Sequence, residues 1–131
     1  MSEIEEIMTG AEFLATREHL GLTSRWLADH LGVAERSVVR WGDDQSPVPP
    51  GVADEILALE ERAWDRVHEL EAEATATQHK GEEPVITVYR TNEAAAASGE
   101  TGGYPAAWYR AIGIRVRERL ASVRLVYSDE D

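Results

Sequence analysis

The chain has 131 residues but no cysteine, only one lysine and no apolar run long enough to span a bilayer. Without cysteine, the chain has neither a disulfide framework nor a thiolate metal site. A transmembrane helix needs about 20 apolar residues, so none is predicted. The first residues, MSEIEEIM, are acidic and unlike a secretory signal. Together these absences favour a cytoplasmic protein.

The sequence also lacks the usual marks of a metal site or an enzyme. The four histidines are scattered, and the spacing of His19 and His30 does not suit a ligand pair on one helix. The segment GETGG at residues 99–103 is rich in glycine but lacks the Lys-Ser/Thr of a phosphate-binding loop. No nucleophile–base pair stands out. We therefore expect no metal, no cofactor and no catalytic activity.

Basic residues are scarce, with 13 against 25 acidic residues and a formal net charge of −12. A protein that gains affinity by neutralising phosphates usually presents a basic face. The first sixty residues hold four arginines, and all four lie within or just before residues 23–41. Asp43 and Asp44 follow that segment closely. Since net charge affects non-specific binding more than fold, any DNA binding is expected to be weak without specific contacts and sensitive to salt.

The most informative pattern that is present spans residues 23–41, TSRWLADHLGVAERSVVRW. It predicts a helix, a turn at Gly32 and a second helix. Ala28 is small enough for a close helix crossing, Gly32 can adopt the positive φ of a tight turn, and Val38 can face the core. This spacing is typical of a helix-turn-helix, whose second helix enters the major groove of DNA.

The same segment divides into predicted core and surface positions. The apolar residues that recur at helical spacing and can share one core are Leu27, Leu31, Val33, Val38, Val39 and Trp41. Polar side chains on the second helix suit base contacts, because Arg pairs with guanine, Glu with cytosine N4 and Ser with either. They are Glu35, Arg36, Ser37 and Arg40. The plainer alternative is a helical hairpin with a solvated polar face.

Other elements follow from caps and periodicity. Thr9 and Glu12 form a capping box that predicts a helix ending near Leu20. A turn-rich loop at residues 42–50 leads to Pro50, which suits the first turn of a long helix ending near Ala76. The remaining predictions are a polar linker (77–83), a strand (85–90), a flexible loop (91–103), a helix (105–120), a strand (123–127) and acidic segments at 1–8 and 128–131.

The predicted fold class is therefore mostly α with a small α+β C-terminal unit. Residues 9–76 form a helix-turn-helix domain with a long following helix, and residues 84–128 form a strand-helix-strand unit. Two strands alone are marginal in water, so we predict pairing with the same unit of a second copy, which gives a homodimer. The alternative is a subdomain packed on its own long helix.

Two groups of side chains in the C-terminal half have competing interpretations. The aromatic and apolar residues could form the dimer interface or an ordinary core; those assigned to the interface are Trp64, Tyr89, Trp108, Tyr109 and Ile112. Arg115, Arg117 and Arg119 could form a nucleic-acid patch, but their alternate spacing spreads them over different helix faces. A solvated face paired with acidic residues is favoured for these arginines.

The pattern LGLT…LADHLGV…SVVRW…VP resembles the Cro-type (XRE) helix-turn-helix domain. The order of parts, with a VITVY strand and a tryptophan-bearing helix after the long helix, resembles the YdiL-like family, which includes anti-CRISPR-associated repressors of phages. That resemblance, over residues 9–128, implies a homodimer that binds an inverted repeat near its own promoter. It also implies base contacts from Arg36, Ser37 and Arg40, and phosphate contacts from Thr23, Ser24 and Arg25.

Four positions depart from the pattern of that family. Ala34 stands where a serine or threonine usually caps the recognition helix, Gly42 replaces a glutamate, and Asp43 and Asp44 make the following turn acidic. These changes affect the expected affinity more than the expected fold. The sequence therefore predicts a sequence-specific transcriptional regulator acting on double-stranded DNA. The alternative is a protein-interaction module, such as an antitoxin or a phage-encoded inhibitor of a host protein.

Overall fold

The computed structural model describes residues 8–128, so most of the predicted acidic segments at 1–8 and 128–131 lies outside the described residues. The described chain is mostly helical, with two short strands near its C-terminal end. In chain order the elements are α1 (Gly10–His19), α2 (Ser24–Leu31), α3 (Glu35–Gly42), α4 (Pro50–His79), β1 (Val85–Val88), α5 (Asn92–Ala97), α6 (Ala106–Arg119) and β2 (Arg124–Tyr127).

The chain divides into two compact units, the first ending at Glu61 and the second beginning at Arg62. This division falls inside α4, whereas the sequence placed the end of the first domain at residue 76. The second half of α4 belongs to the C-terminal unit because it contacts α6. Arg119 Nε, for example, donates a hydrogen bond to Glu71 Oε1 at 2.6 Å.

The helix starts in the first unit follow local rules that the sequence predicts. Thr9 Oγ1 accepts a hydrogen bond from the Glu12 backbone N–H at 3.0 Å, and Glu12 Oε1 accepts one from the Thr9 N–H at 2.9 Å, which confirms the capping box. Thr23 caps α2 by accepting from the Trp26 N–H at 3.0 Å. Gly32 ends α2 with a φ of 72°, as predicted for the turn.

The first unit has one apolar core to which α1, α2, α3 and the start of α4 contribute. Ala28 and Val38 are 2% and 1% exposed, which confirms their predicted burial. Phe13 and Trp41 meet edge to face, with ring centroids 5.9 Å apart. The largest side chains in this core are Phe13, Leu20, Leu22, Leu27, Val38, Trp41, Ile56 and Leu59.

The core assignment of Val39 is wrong, because this side chain is 46% exposed. Successive helix residues point about 100° apart, so Val38 and Val39 cannot both face the same core. Val38 and Trp41 lie three residues apart on one face and are both buried. Their burial fixes the rotation of α3 and turns Val39 outward. Leu31 and Val33 are half-buried.

The second unit contains the predicted strand-helix-strand order. β1 and β2 pair in parallel, with Val85 opposite Arg124 and Val88 opposite Tyr127. Helix α6 packs against this pair at Gly113, where an added Cβ would lie 3.1 Å from Leu125 Cδ2 and 3.2 Å from Val88 Cγ1. Glycine therefore permits the close approach of the helix to the sheet.

Three predictions about the second unit need correction. The segment predicted as a loop contains α5, which begins where Thr91 Oγ1 accepts from the Ala94 N–H at 3.1 Å and continues through an alanine run. Helix α4 extends to His79 instead of ending near residue 76. Arg115 is only 3% exposed, and its guanidinium lies 5.0 Å from the Trp64 ring centroid, so it does not belong to a solvated face.

Candidate nucleic-acid interface

Helix α3 has a buried face and an exposed face. The buried face consists of Val38 and Trp41, which join the core of the first unit. The exposed residues of the other face are Glu35, Arg36, Val39 and Arg40, and together with Asp43, just after the helix, we call them the outer face of α3. Arg36 and Arg40 lie four residues apart, so they are neighbours on one side of the helix.

Two features anchor α3 against α1. The Trp41 ring packs edge to face on Phe13, and Asp44, just beyond α3, accepts a hydrogen bond from the Gly10 N–H at 3.1 Å through Oδ1. Gly10 is the first residue of α1, so the Asp44 carboxylate satisfies a helix N-terminal donor and interacts favourably with the helix dipole. The sequence predicts that the negative charge of Asp44 opposes DNA binding. In the structure its carboxylate has a local partner, the Gly10 N–H.

Asp44 holds this position with a backbone φ of 63°, in the left-handed region. Aspartate tolerates this region better than most residues other than glycine. There is also no room for a side chain on Gly10, since an added Cβ would lie 2.6 Å from the Trp41 carbonyl oxygen. The turn after α3 and the start of α1 therefore fit together closely.

Two predicted site residues, Ser24 and Glu35, contact each other directly. Ser24 Oγ donates a hydrogen bond to Glu35 Oε2 at 2.8 Å, which joins the first turn of α2 to the first turn of α3. A carboxylate has about four lone-pair sites, so Glu35 can accept further hydrogen bonds from a ligand. The contact brings the N-terminal ends of α2 and α3 together.

The other predicted DNA-contacting residues differ in how available they are. The Thr23 hydroxyl caps α2, so its role in the folded chain is to hold that helix start. Ser37 is half-buried, whereas Arg25, Arg36 and Arg40 are exposed. Within residues 8–128, none of these three arginines makes an ion pair or a side-chain hydrogen bond. Their guanidinium groups are therefore open to a ligand.

Sequence reasoning missed a second contact that steadies α2. The Trp26 and His30 rings stack with centroids 5.0 Å apart, and His30 Nε2 lies 2.8 Å from Glu55 Oε2 on α4. The spacing of Trp26 and His30 is the usual signal for neighbours on a helix. The contact with Glu55 could not be found in the same way, because it joins residues that are distant in the sequence.

The structure divides the predicted dimer-interface residues into two groups. Tyr89, Trp108 and Ile112 are 6%, 3% and 3% exposed, so they belong to the core of the second unit and offer a partner almost no surface. Trp64 is 36% exposed, and Tyr109 is half-buried with its ring edge to face on Tyr89. Only Trp64 and Tyr109 keep surface that a second copy can contact.

Burial also changes the acid–base behaviour of Tyr109. Loss of solvent raises the pKa of its phenol to about 12, and the neighbouring Glu100 carboxylate contributes in the same direction. The group therefore stays neutral at physiological pH, and its hydroxyl remains a hydrogen-bond donor.

The sheet of the second unit has only two strands in the described residues, so each strand has one edge without a neighbouring strand. Beside the β2 edge, Ile114 of α6 is 41% exposed and lines a shallow groove with the half-buried Leu125 and Val126. The groove beside β1 is more polar and includes Arg66 and Glu100. Of these two grooves, the one beside β2 is the more apolar, although Arg110 also lines it.

Comparison with protein-family models and with curated proteins gives no match for this chain. Over residues 8–128, no three histidine, aspartate or glutamate side chains gather where a metal ion could be held. None of the helices in the described part of the chain combines the length and the apolar character that crossing a bilayer requires.

Proposed function

We propose that this chain is a sequence-specific DNA-binding regulator of transcription, in which α2, the turn at Gly32 and α3 act as a helix-turn-helix. The observation that carries the proposal is the outer face of α3. Arg36 and Arg40 are exposed and adjacent and make no ion pair with residues 8–128, and they lie on a helix whose other face is fixed in the core by Val38 and Trp41. Such a helix suits the major groove, where arginine pairs with guanine through two hydrogen bonds.

Phosphate contacts would come from the start of α2. The first N–H groups of a helix attract anions, and the exposed Arg25 lies in the same turn. Ser24 connects this turn to Glu35 of α3, so the phosphate-contacting and base-contacting parts are held together. Thr23 supports the site through its cap on α2.

Several acidic side chains near the proposed site have specific local partners. Asp44 accepts from Gly10, and Glu35 from Ser24. Asp43 is exposed on the outer face of α3 and opposes phosphate. Arg25 is the arginine assigned to phosphate in each copy, so a dimer would neutralise about two phosphates through it, and log K should fall with log salt at a slope of about −2.

We propose a homodimer in which the β2 edge of one copy lies beside the β2 edge of another. The support for this arrangement is the open edge of β2, beside which Ile114 is 41% exposed and lines a groove with Leu125 and Val126. A twofold dimer would present two α3 helices to half-sites about 34 Å apart, which corresponds to an inverted repeat. Bound over a promoter, such a dimer would block polymerase, including at its own gene.

The dimer proposal is tested by mass in solution. Ile114→Glu, which places a charge beside β2, should halve the mass measured by light scattering. Val85→Glu is the matched control, because Val85 is 51% exposed but lies on β1. A monomeric wild-type chain, or an Ile114→Glu variant that stays dimeric, contradicts the proposed edge.

The DNA proposal is tested by selection from random-sequence duplexes at low and moderate salt. We expect an enriched inverted repeat containing guanines. Arg36→Ala or Arg40→Ala should then cost about 1–3 kcal/mol, a loss of roughly 5- to 150-fold in affinity. Arg62→Ala, on an exposed position of α4, is the control and should bind like the wild type. Equal affinity of all three variants would rule out α3 as the reading helix.

The net charge of −12 favours one other function, a protein-interaction module. Such a protein would give no enriched DNA and would copurify with a partner in fixed stoichiometry. The selection experiment therefore separates the two functions, because only the DNA-binding regulator gives a sequence that depends on Arg36 and Arg40.

A further inference from the structure

We infer that Val39 reads the C5-methyl group of a pyrimidine, normally thymine, in the major groove. The inference rests on the proposed function. It adds an apolar contact with a base methyl group to the arginine contacts with guanine. It starts from the position that sequence reasoning assigned incorrectly, since Val39 is 46% exposed on α3.

The location of Val39 separates it from other exposed apolar residues. It lies on the outer face of α3, three residues after Arg36 and directly before Arg40. At 1.5 Å per residue, its Cα is about 4.5 Å along the helix axis from that of Arg36, somewhat more than one base-pair step of 3.4 Å. If Arg36 contacts one base pair, Val39 therefore lies over a base pair one or two steps away.

The chemistry of the valine side chain limits what it can recognise there. Its two methyl groups neither donate nor accept hydrogen bonds, so contact with an amino or carbonyl edge would leave that group unsatisfied. Of the four natural bases, only thymine presents a methyl group in the major groove. Val39 therefore favours thymine over unmethylated cytosine, while Arg36 and Arg40 favour guanine. A 5-methylcytosine would present the same methyl group.

The experiment begins with the duplex enriched by the wild-type chain. Each thymine is replaced in turn by deoxyuridine, which removes only the methyl group. We expect one thymine in each half-site to respond, with about fourfold weaker binding per half-site and about fifteenfold when both are changed. At that position, a 5-methylcytosine·guanine pair should bind more tightly than a cytosine·guanine pair, which distinguishes the methyl group from the rest of the thymine edge.

Val39→Ala should bind the thymine duplex about as weakly as the wild type binds the deoxyuridine duplex, and it should no longer distinguish the two. The position is exposed, and alanine has the higher helix propensity, so the variant should fold. Leu57→Ala is the control, because Leu57 is 44% exposed on α4, and this variant should keep the wild-type response to deoxyuridine.

The outcomes separate the inference from the proposed function. If selection enriches no sequence, the proposed function and the inference both fail, and Val39 becomes a candidate contact for a protein partner. If selection gives a site that depends on Arg36 and Arg40 but no deoxyuridine replacement weakens binding, only the Val39 inference is overturned. A deoxyuridine effect that persists in Val39→Ala also overturns it, because another residue must then read the methyl group.

Discussion

Replacing Ala34 by serine should stabilise the chain, because α3 has a cap position without a capping side chain. Ala34 has φ −72° and ψ 144° and makes no side-chain hydrogen bond to the helix. Thr9 and Thr23 hold nearly the same backbone conformation, with φ −78° and −75° and ψ 163° and 161°, and both cap their helices. The backbone at Ala34 is therefore already suitable for a cap.

The magnitude follows from what a serine hydroxyl would gain at this position. In α1 and α2 the capping oxygen accepts from the third residue of the helix, which in α3 is Ser37. The Ser37 N–H already donates to the Ala34 carbonyl oxygen at 3.0 Å, so part of the benefit is present. A full cap contributes about 1 kcal/mol, and we expect Ala34→Ser to gain about 0.5–1 kcal/mol, or roughly 2–5 °C in Tm.

The assay combines urea denaturation with amide hydrogen exchange at Arg36 and Ser37. Exchange should slow at these two amides, since the new hydroxyl protects the first turn of α3. Thr23→Ala provides the opposite change, because it removes an existing cap and should cost about 1 kcal/mol. If Thr23→Ala costs this amount while Ala34→Ser changes neither stability nor exchange, the first turn of α3 does not limit stability and the reasoning is refuted.

Three further predictions concern stability. Gly113→Ala should destabilise the fold by about 1 kcal/mol, because crowding against Leu125 and Val88 outweighs the gain in helix propensity. The added Cβ of Gly51→Ala meets no atom within 4 Å, so this variant should stabilise the fold by about 0.5–1 kcal/mol. Thermal melts in which Gly113→Ala is the more stable of the two variants would contradict the prediction. Asp44→Ala removes the acceptor of the Gly10 N–H and should cost about 1–2 kcal/mol in urea denaturation; an unchanged midpoint would mean that the contact is not stabilising. The pKa of Tyr109 is raised to about 12 from an ordinary 10.0. Because the unfolded chain loses this proton first, the stability that the neutral phenol contributes should be complete below pH 10 and decline from about pH 10 to 12. Tyr109→Phe should abolish that decline, and an ultraviolet titration of the wild type without a late phenol step would exclude the shift.

Local signals in the sequence predict several elements of the first unit correctly. Thr9 with Glu12, Gly32, and the buried pair Ala28 and Val38 each follow from rules that involve only a few neighbouring residues. The same kind of signal was present at α5, where Thr91 precedes an alanine run, but the small polar composition of that segment favoured a loop. In the structure the cap decides, because the Thr91 hydroxyl satisfies an N–H of the first turn of α5.

Contacts between distant parts of the chain explain what the sequence does not predict for Arg115 and Asp44. Val39 is a different case, because Val38 and Trp41 lie three residues apart on one helix face, and this local spacing already turns Val39 outward. Arg115 is predicted to be solvated, because the sequence does not reveal that α6 packs on α4 and buries this side chain beside Trp64. Asp44 is exposed, as its charge predicts, but nothing near it in the sequence reveals Gly10 as its partner. Hydropathy and charge patterns contain no information about such pairings.

The fit between Gly10 and Asp44 should leave a trace in evolution. The Asp44 carboxylate occupies part of the space that a side chain on Gly10 would need, and an added Cβ would clash with both its Oδ1 and the Trp41 carbonyl oxygen. A lineage that replaces Gly10 must therefore move or lose the carboxylate and also shift the end of α3, whereas one that loses Asp44 removes only one of the two obstacles. Substitutions at position 10 should therefore occur only together with a change at position 44, although 34 residues separate the two. This one-way dependence would identify distant relatives in which the outer face of α3 has diverged.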